Sequence, residues 1–142
     1  RCPLSGVTAT MMPAHYQTEP GFDPAEDHVG PFYFAKQNDK LSYAFEAGQS
    51  HCNAHGSVHG GVLMTFADYC LCMEATDHYA SETCITVSFS SAFVSGAEVG
   101  ALVEGRVDVI KKTGSMVFLT GSLFVSDETI LTFSAVVKRL RN

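Results

Sequence analysis

The sequence predicts an α+β domain in which an antiparallel sheet packs one face against a single long helix. One strong helical period, four segments with a two-residue apolar alternation, and short polar breaks between those segments carry that reading. Residues 1 to about 30 mix Pro, Gly, Thr, Asp and Glu with isolated apolar residues and hold neither period, so they read as an irregular N-terminal arm. Phe32-Tyr33-Phe34 and Leu41 to Phe45 flank the turn signal Asn38-Asp39-Lys40 and predict a short hairpin. A loop rich in His, Gly, Ser and Asn follows over 46–60. Leu63, Phe66, Ala67, Cys70, Leu71 and Glu74 then fall at helical spacing and predict a helix over about 61–77. That helix is apolar on nearly every side, with Asp68 its one charged residue between 61 and 73, so it belongs in an interior.

Strand periodicity fills the remainder. Ile85, Val87 and Phe89 alternate with Thr86, Ser88 and Ser90, and Val99, Ala101, Val103, Val107 and Val109 keep the same period. Val117 to Val125 follow the break at Lys111-Lys112-Thr113-Gly114, and Leu131 to Val137 follow Ser126-Asp127-Glu128-Thr129, so the last three strands form an antiparallel meander. The expected organisation is an arm over 1–30 and one domain over 31–142.

The 142 residues are 46% apolar and 17% charged, enough for one buried core and too short for two. No run of about 18 apolar residues would span a membrane, and no apolar leader segment is expected at the start. A formal charge of −6 with scattered Lys and Arg argues against a nucleic-acid surface. Five cysteines, odd in number and without a CxxC pair, read as reduced thiols in a cytoplasmic protein.

Chemistry concentrates in His51-Cys52-Asn53-Ala54-His55-Gly56-Ser57-Val58-His59-Gly60-Gly61, which runs into the helix carrying Asp68. The first helical N–H groups lack internal partners and sit at the positive end of the helix dipole, and two glycines let a ligand approach them. A polarised carbonyl or an oxyanion is stabilised at such a place. The same glycines also serve close packing of helix on sheet. Asp68, a lone carboxylate in an apolar helix, faces a cavity, a partner or water. Gly60 and Asp68 lie eight residues apart, about 12 Å along one helix, too far to touch one reacting atom. If both act, they act from different subunits, across a two-fold axis. His51, His55 and His59 have a spacing that would suit a metal on a helix, but Gly56 and its polar neighbours argue for a loop, and no metal is expected. Cys70 and Cys72 lack an acid–base partner in the sequence and are not expected to be nucleophiles.

Asn53-x5-His59-Gly60-Gly61-x6-Asp68, followed by Ile85-Thr86-Val87 and the meander over 99–139, resembles the PaaI-like, phenylacetate-pathway branch of the hotdog-fold acyl-CoA thioesterases. The resemblance covers about residues 40–140. It implies a sheet wrapped around the long helix, a homodimer or dimer of dimers, and acyl-CoA lying along the subunit interface, with no cofactor. By the same resemblance the Gly60 N–H polarises the thioester carbonyl, Gly61 borders the substrate, and Asp68 of the facing subunit is general base or nucleophile. Asn53 positions thioester or water, His59 assists near the leaving sulfur, and Thr86 stands where some members carry a serine that orients water. Lys111 and Lys112 at a hairpin tip, or the Lys138, Arg139 and Arg141 end, are the candidates to meet the coenzyme A phosphates. The alternative within the fold is a module that binds acyl-CoA without hydrolysing it.

Overall fold

The structure, a computed structural model, describes residues 12–141. Its elements in chain order are α1 (Pro24–Val29), β1 (Tyr33–Gln37), β2 (Lys40–Glu46), α2 (Gly60–Thr76), β3 (Glu82–Phe93), β4 (Leu102–Lys112), β5 (Met116–Val125) and β6 (Glu128–Arg141). The strands form one six-stranded antiparallel sheet in the order β1-β2-β4-β5-β6-β3. The expected α+β architecture, with one long helix held by an antiparallel sheet, is what the chain adopts. Among the described residues no helix is long and apolar enough to cross a membrane.

Local chemistry explains the connections. Asn38 and Asp39 both adopt left-handed backbone angles (φ 53° and 62°), as do Ser126 and Asp127 (φ 47° and 68°). Paired left-handed residues match the strand twist and make tight hairpins, and Asn and Asp tolerate that geometry best after glycine. β4 starts at Leu102 rather than at Val99, because Gly100 (φ 88°) turns the chain and donates its N–H to the Ala47 carbonyl.

α2 buries Leu63, Phe66, Ala67, Cys70 and Leu71 along with Tyr69, Cys72, Met73, Ala75 and Thr76, which accounts for its all-round apolar sequence. Gly105 lets it lie close on the sheet, since a Cβ there would stand 2.7 Å from Cys70 Sγ. Phe32, Phe45 and Phe66 pack with ring centroids 4.8 to 5.4 Å apart and join sheet, helix and the chain ahead of β1 into one core. At the far end Glu82, 5% exposed, accepts from Arg139 Nε (3.1 and 3.0 Å) and pairs with Lys112 Nζ at 3.1 Å.

Two expectations change. The stretch expected to be irregular contains α1, capped by Asp23, whose carboxylate accepts the Glu26 N–H, with Pro24 in the first turn. It also contains a bridge from Gln17 to Phe34, while residues 1–11 of the expected arm lie outside the described residues. The cysteines are not all reduced thiols: Cys70, Cys72 and Cys84 are free, but Cys52 is disulfide-bonded. The cytoplasmic expectation rested on those thiols and loses that support.

Candidate active site

The loop before α2 is fixed by its own hydrogen bonds. His51 is buried; its Nδ1 accepts the Gly48 N–H (2.9 Å) and its Nε2 lies 2.6 Å from the Val29 carbonyl, which ties the loop to α1. Asn53 Oδ1 accepts the N–H groups of His55 (2.9 Å) and Ser57 (3.2 Å), while its own N–H donates to the Ser57 carbonyl at 2.7 Å. With Gly56 at φ 88°, these bonds close a tight turn. Val58 N–H then bonds the Ala97 carbonyl and His59 N–H the His51 carbonyl, both at 2.8 Å.

That loop delivers His59 as the N-cap of α2. Its Nδ1 accepts the Gly61 N–H at 2.9 Å, and its carbonyl takes the N–H groups of Val62 and Leu63. The Gly60 N–H has no acceptor among the described residues, which leaves one donor open at the positive end of a helix of 17 residues. The Phe93 ring stands over it, so that a Cβ on Gly60 would lie 3.0 Å from that ring.

Two turns along, half-buried Asp68 points to β3. Thr86 Oγ1 donates to its Oδ1 at 2.6 Å, and Cys72 Sγ lies 3.9 Å from the same oxygen and 3.4 Å from the Thr86 hydroxyl. Thr86 therefore holds the carboxylate. On the same side of α2, Gly61 and Met64 are exposed.

The sequence-predicted residues thus gather in two places: His59, Gly60 and Gly61 at the helix start, and Asp68 with Thr86 in its middle. Asn53 stands behind the first as a builder of the loop. Lys112 is engaged by Glu82 and by the Ala75 carbonyl (3.4 Å). Lys111 lines a groove of about 500 Å³ on the outer sheet face, with Ser88, Ser90, Ile110 and Phe118. Neither lysine joins the cluster around Asp68 or Gly60. Among the described residues no three His, Cys, Asp or Glu side chains converge as metal ligands.

One group near Asp68 escaped the sequence reading. Glu26 on α1 borders a small cavity with Phe32, Tyr69, Met73 and Tyr79, and its pKa is pushed up to about 7 by burial and then by Asp23, Asp68 and Asp27. The local signal was Asp23-Pro24, a helix start. A carboxyl whose folded pKa is raised adds stability below its unfolded value, near 4.3, and loses it as pH rises through about 7. Glu26→Gln is expected to raise the melting temperature at pH 8 and not at pH 4. Equal shifts at both pH values in thermal melts would show the carboxyl to be solvated.

The open helix-terminal donor and the braced carboxylate coincide with a family assignment, since the profile of the thioesterase superfamily matches residues 55–132, both groups included. The chain belongs to the thioesterase superfamily. This member is 30% identical over 115 residues to PA0474 of Pseudomonas aeruginosa, a protein named as an esterase, covering 80% of this chain and 86% of that one. Its fold is shared with the Escherichia coli PaaI protein of the phenylacetic acid degradation operon, with a TM-score of 0.75, 14% identity, and 84% and 86% of the two chains covered. The BH2602 protein of Bacillus halodurans, solved with CoA, superposes with a TM-score of 0.70 at 15% identity over 77% of this chain and 74% of that one. These neighbours place the superfamily member in the hotdog fold, and the superfamily profile together with the esterase-named relative makes it a thioester hydrolase.

Proposed function

We propose that this chain hydrolyses acyl-CoA thioesters at a site shared by two subunits, with the Gly60 N–H and Asp68 as its two working groups. The observation that carries the reading is the pairing of one open helix-terminal N–H with one carboxylate held by a hydroxyl, in a thioesterase-superfamily chain. Thioester hydrolysis asks for little more. A donor polarises the carbonyl, and charge building on its oxygen is stabilised at the helix N-terminus. Asp68 Oδ2, free of the Thr86 bond, takes the proton of an attacking water or attacks the carbonyl itself. Both routes break the C–S bond and release the coenzyme A thiol: water attack gives the free acid directly, whereas carboxylate attack leaves a mixed anhydride on Asp68 that a water then opens to the free acid. Phe93, over Gly60, borders the acyl or thioester group. His59, with Nδ1 occupied by Gly61, presents Nε2 near the leaving sulfur.

A second copy supplies the partner group. Among the described residues β3 is an edge strand of 12 residues without Lys or Pro, paired only with β6. It leaves Ile85 and Val87 more than half exposed, beside the open Gly61–Met64 side of α2. Antiparallel pairing of β3 with the same strand of a second chain sets the two helices side by side, with Gly60 of one near Asp68 of the partner subunit. The outer groove lined by Ile110 and Phe118 is the face on which two such dimers would meet.

Thiol release from a panel of aryl, short-chain and medium-chain acyl-CoAs tests the reading. Release from at least one class supports it. Binding of coenzyme A with no release from any would make the chain a non-catalytic acyl-CoA module. The role of Thr86 has its own test: Thr86→Val deletes the bond to Asp68 and is expected to lower kcat about 10- to 100-fold, in keeping with an orienting hydrogen bond to a charged group. Thr86→Ser keeps the hydroxyl and is expected to stay within about threefold of the native rate. Equal loss in both variants would assign Thr86 to packing.

A further inference from the structure

Thr86 meets Asp68 beside an irregularity in its own strand. β3 pairs Thr86 with Val137 and Ser88 with Val136, so Val87 is left over as a β-bulge. The less exposed positions run 82, 84 and 86 before the bulge and 89 and 91 after it, which makes Thr86 the last side chain turned to α2 ahead of the bulge. Asp68 and Cys72 stand one helical turn apart on one stripe of α2, and both face it.

The protons available in this triangle fix who donates. A carboxylate oxygen only accepts, and the single proton of the Thr86 hydroxyl is on Asp68 Oδ1 at 2.6 Å, a short bond to a charged acceptor. The Thr86 oxygen is left with acceptor capacity alone. Cys72 Sγ lies 3.4 Å from that oxygen and 3.9 Å from Asp68 Oδ1, and the thiol is 8% exposed beside a carboxylate, where a second negative charge is disfavoured. Cys72 therefore keeps its S–H, and its nearer acceptor is Thr86. We infer that Cys72, given Asp68 as the working carboxylate of the proposed hydrolysis, is a positioning residue: its S–H donates to the Thr86 hydroxyl, and that hydroxyl donates to Asp68 Oδ1, leaving Oδ2 turned to the thioester.

Accepting one bond polarises a hydroxyl and strengthens the bond it donates. It also stops the Thr86 proton from turning elsewhere, and the carboxylate loses rotation with it. Cys72 stands one layer behind the reacting atoms and acts through Thr86.

Three variants of the full chain test this. Cys72→Ala is expected to lower kcat about 3- to 10-fold, the size of one neutral hydrogen bond, with KM little changed. Cys72→Ser, which returns an O–H donor to the same place, is expected to recover most of that loss. Added to Thr86→Val, Cys72→Ala is expected to cost nothing more, because the group it acts through is already gone. Equal losses in Cys72→Ala and Cys72→Ser, or losses that multiply in the double variant, are the marks of packing and overturn the inference.

Infrared spectroscopy reads the same bond without substrate. The S–H stretching band of Cys72 is the one that the Cys72→Ala spectrum lacks, and it is expected to move to higher frequency in Thr86→Val, as a donor that has lost its acceptor does. A band that stays in place, or moves to lower frequency, overturns the inference even where thioesters are hydrolysed. A chain that releases no thiol from any acyl-CoA overturns the hydrolytic reading instead, and the band then still decides between a donating and an idle thiol.

Discussion

Asp68→Asn is expected to leave a folded protein that binds acyl-CoA and releases thiol about 10²- to 10⁴-fold more slowly, the range a positioned carboxylate contributes. The substitution is nearly isosteric. Its amide oxygen still accepts the Thr86 hydroxyl bond that Asp68 Oδ1 accepts at 2.6 Å, so geometry is kept while the charge and the basic oxygen are removed. The expected loss therefore falls on kcat with KM little changed, the pattern of an interaction made in the transition state alone. A single-turnover reaction of the native chain in ¹⁸O-water separates the two roles, since label enters the Asp68 carboxylate only if that carboxylate attacks the thioester. Activity of Asp68→Asn within tenfold of native, with circular dichroism and mass in solution unchanged, would remove Asp68 from the chemistry.

What the sequence made legible follows from the range of each interaction. α2 and the meander β4-β5-β6 are written in local periodicity, and their hairpins in residues that accept left-handed angles, so both were readable from short windows. His59-Gly60-Gly61 was readable too, because an N-terminal donor depends on the few residues that start the helix. α1 was not: its six residues bury no side chain fully and show no period, and the Asp23 cap with Pro24 was its one mark. The partners of Thr86 and Lys112 were beyond reach for another reason. Thr86 was read as orienting water, and only the crossing of β3 over α2 brings its hydroxyl onto Asp68. Lys112 was read as a phosphate ligand, whereas its ammonium meets Glu82, 30 positions away in sequence and at the same end of the sheet. Glu82 faces Lys112 and Arg139 there, which hold its carboxyl below the usual range. Such pairings belong to topology, which spacing along the chain does not encode.

Gly60→Pro removes the proposed donor without disturbing the helix that presents it. Proline is well suited to a first helical position, where its missing N–H breaks no internal bond. The preceding residue must then be extended, and His59 already has φ −60° and ψ 134°. The added ring meets the outer atoms of Phe93, an exposed side chain that can swing away. The variant is expected to fold and to lose about 10²- to 10³-fold in kcat, the cost of deleting one oxyanion donor. Mixing it with Asp68→Asn after dissociation and reassociation tests the shared site directly. In a heterodimer one site receives both lesions and the other neither, so random assortment restores about one quarter of native activity from two inactive proteins. If Gly60 and Asp68 instead served a site within one chain, every site would carry a lesion and the mixture would stay as inactive as its components. Recovery on mixing therefore places the two groups on opposite sides of the dimer, and its absence from a verified heterodimer would discard the two-subunit mechanism while leaving each residue's own role to its single variant.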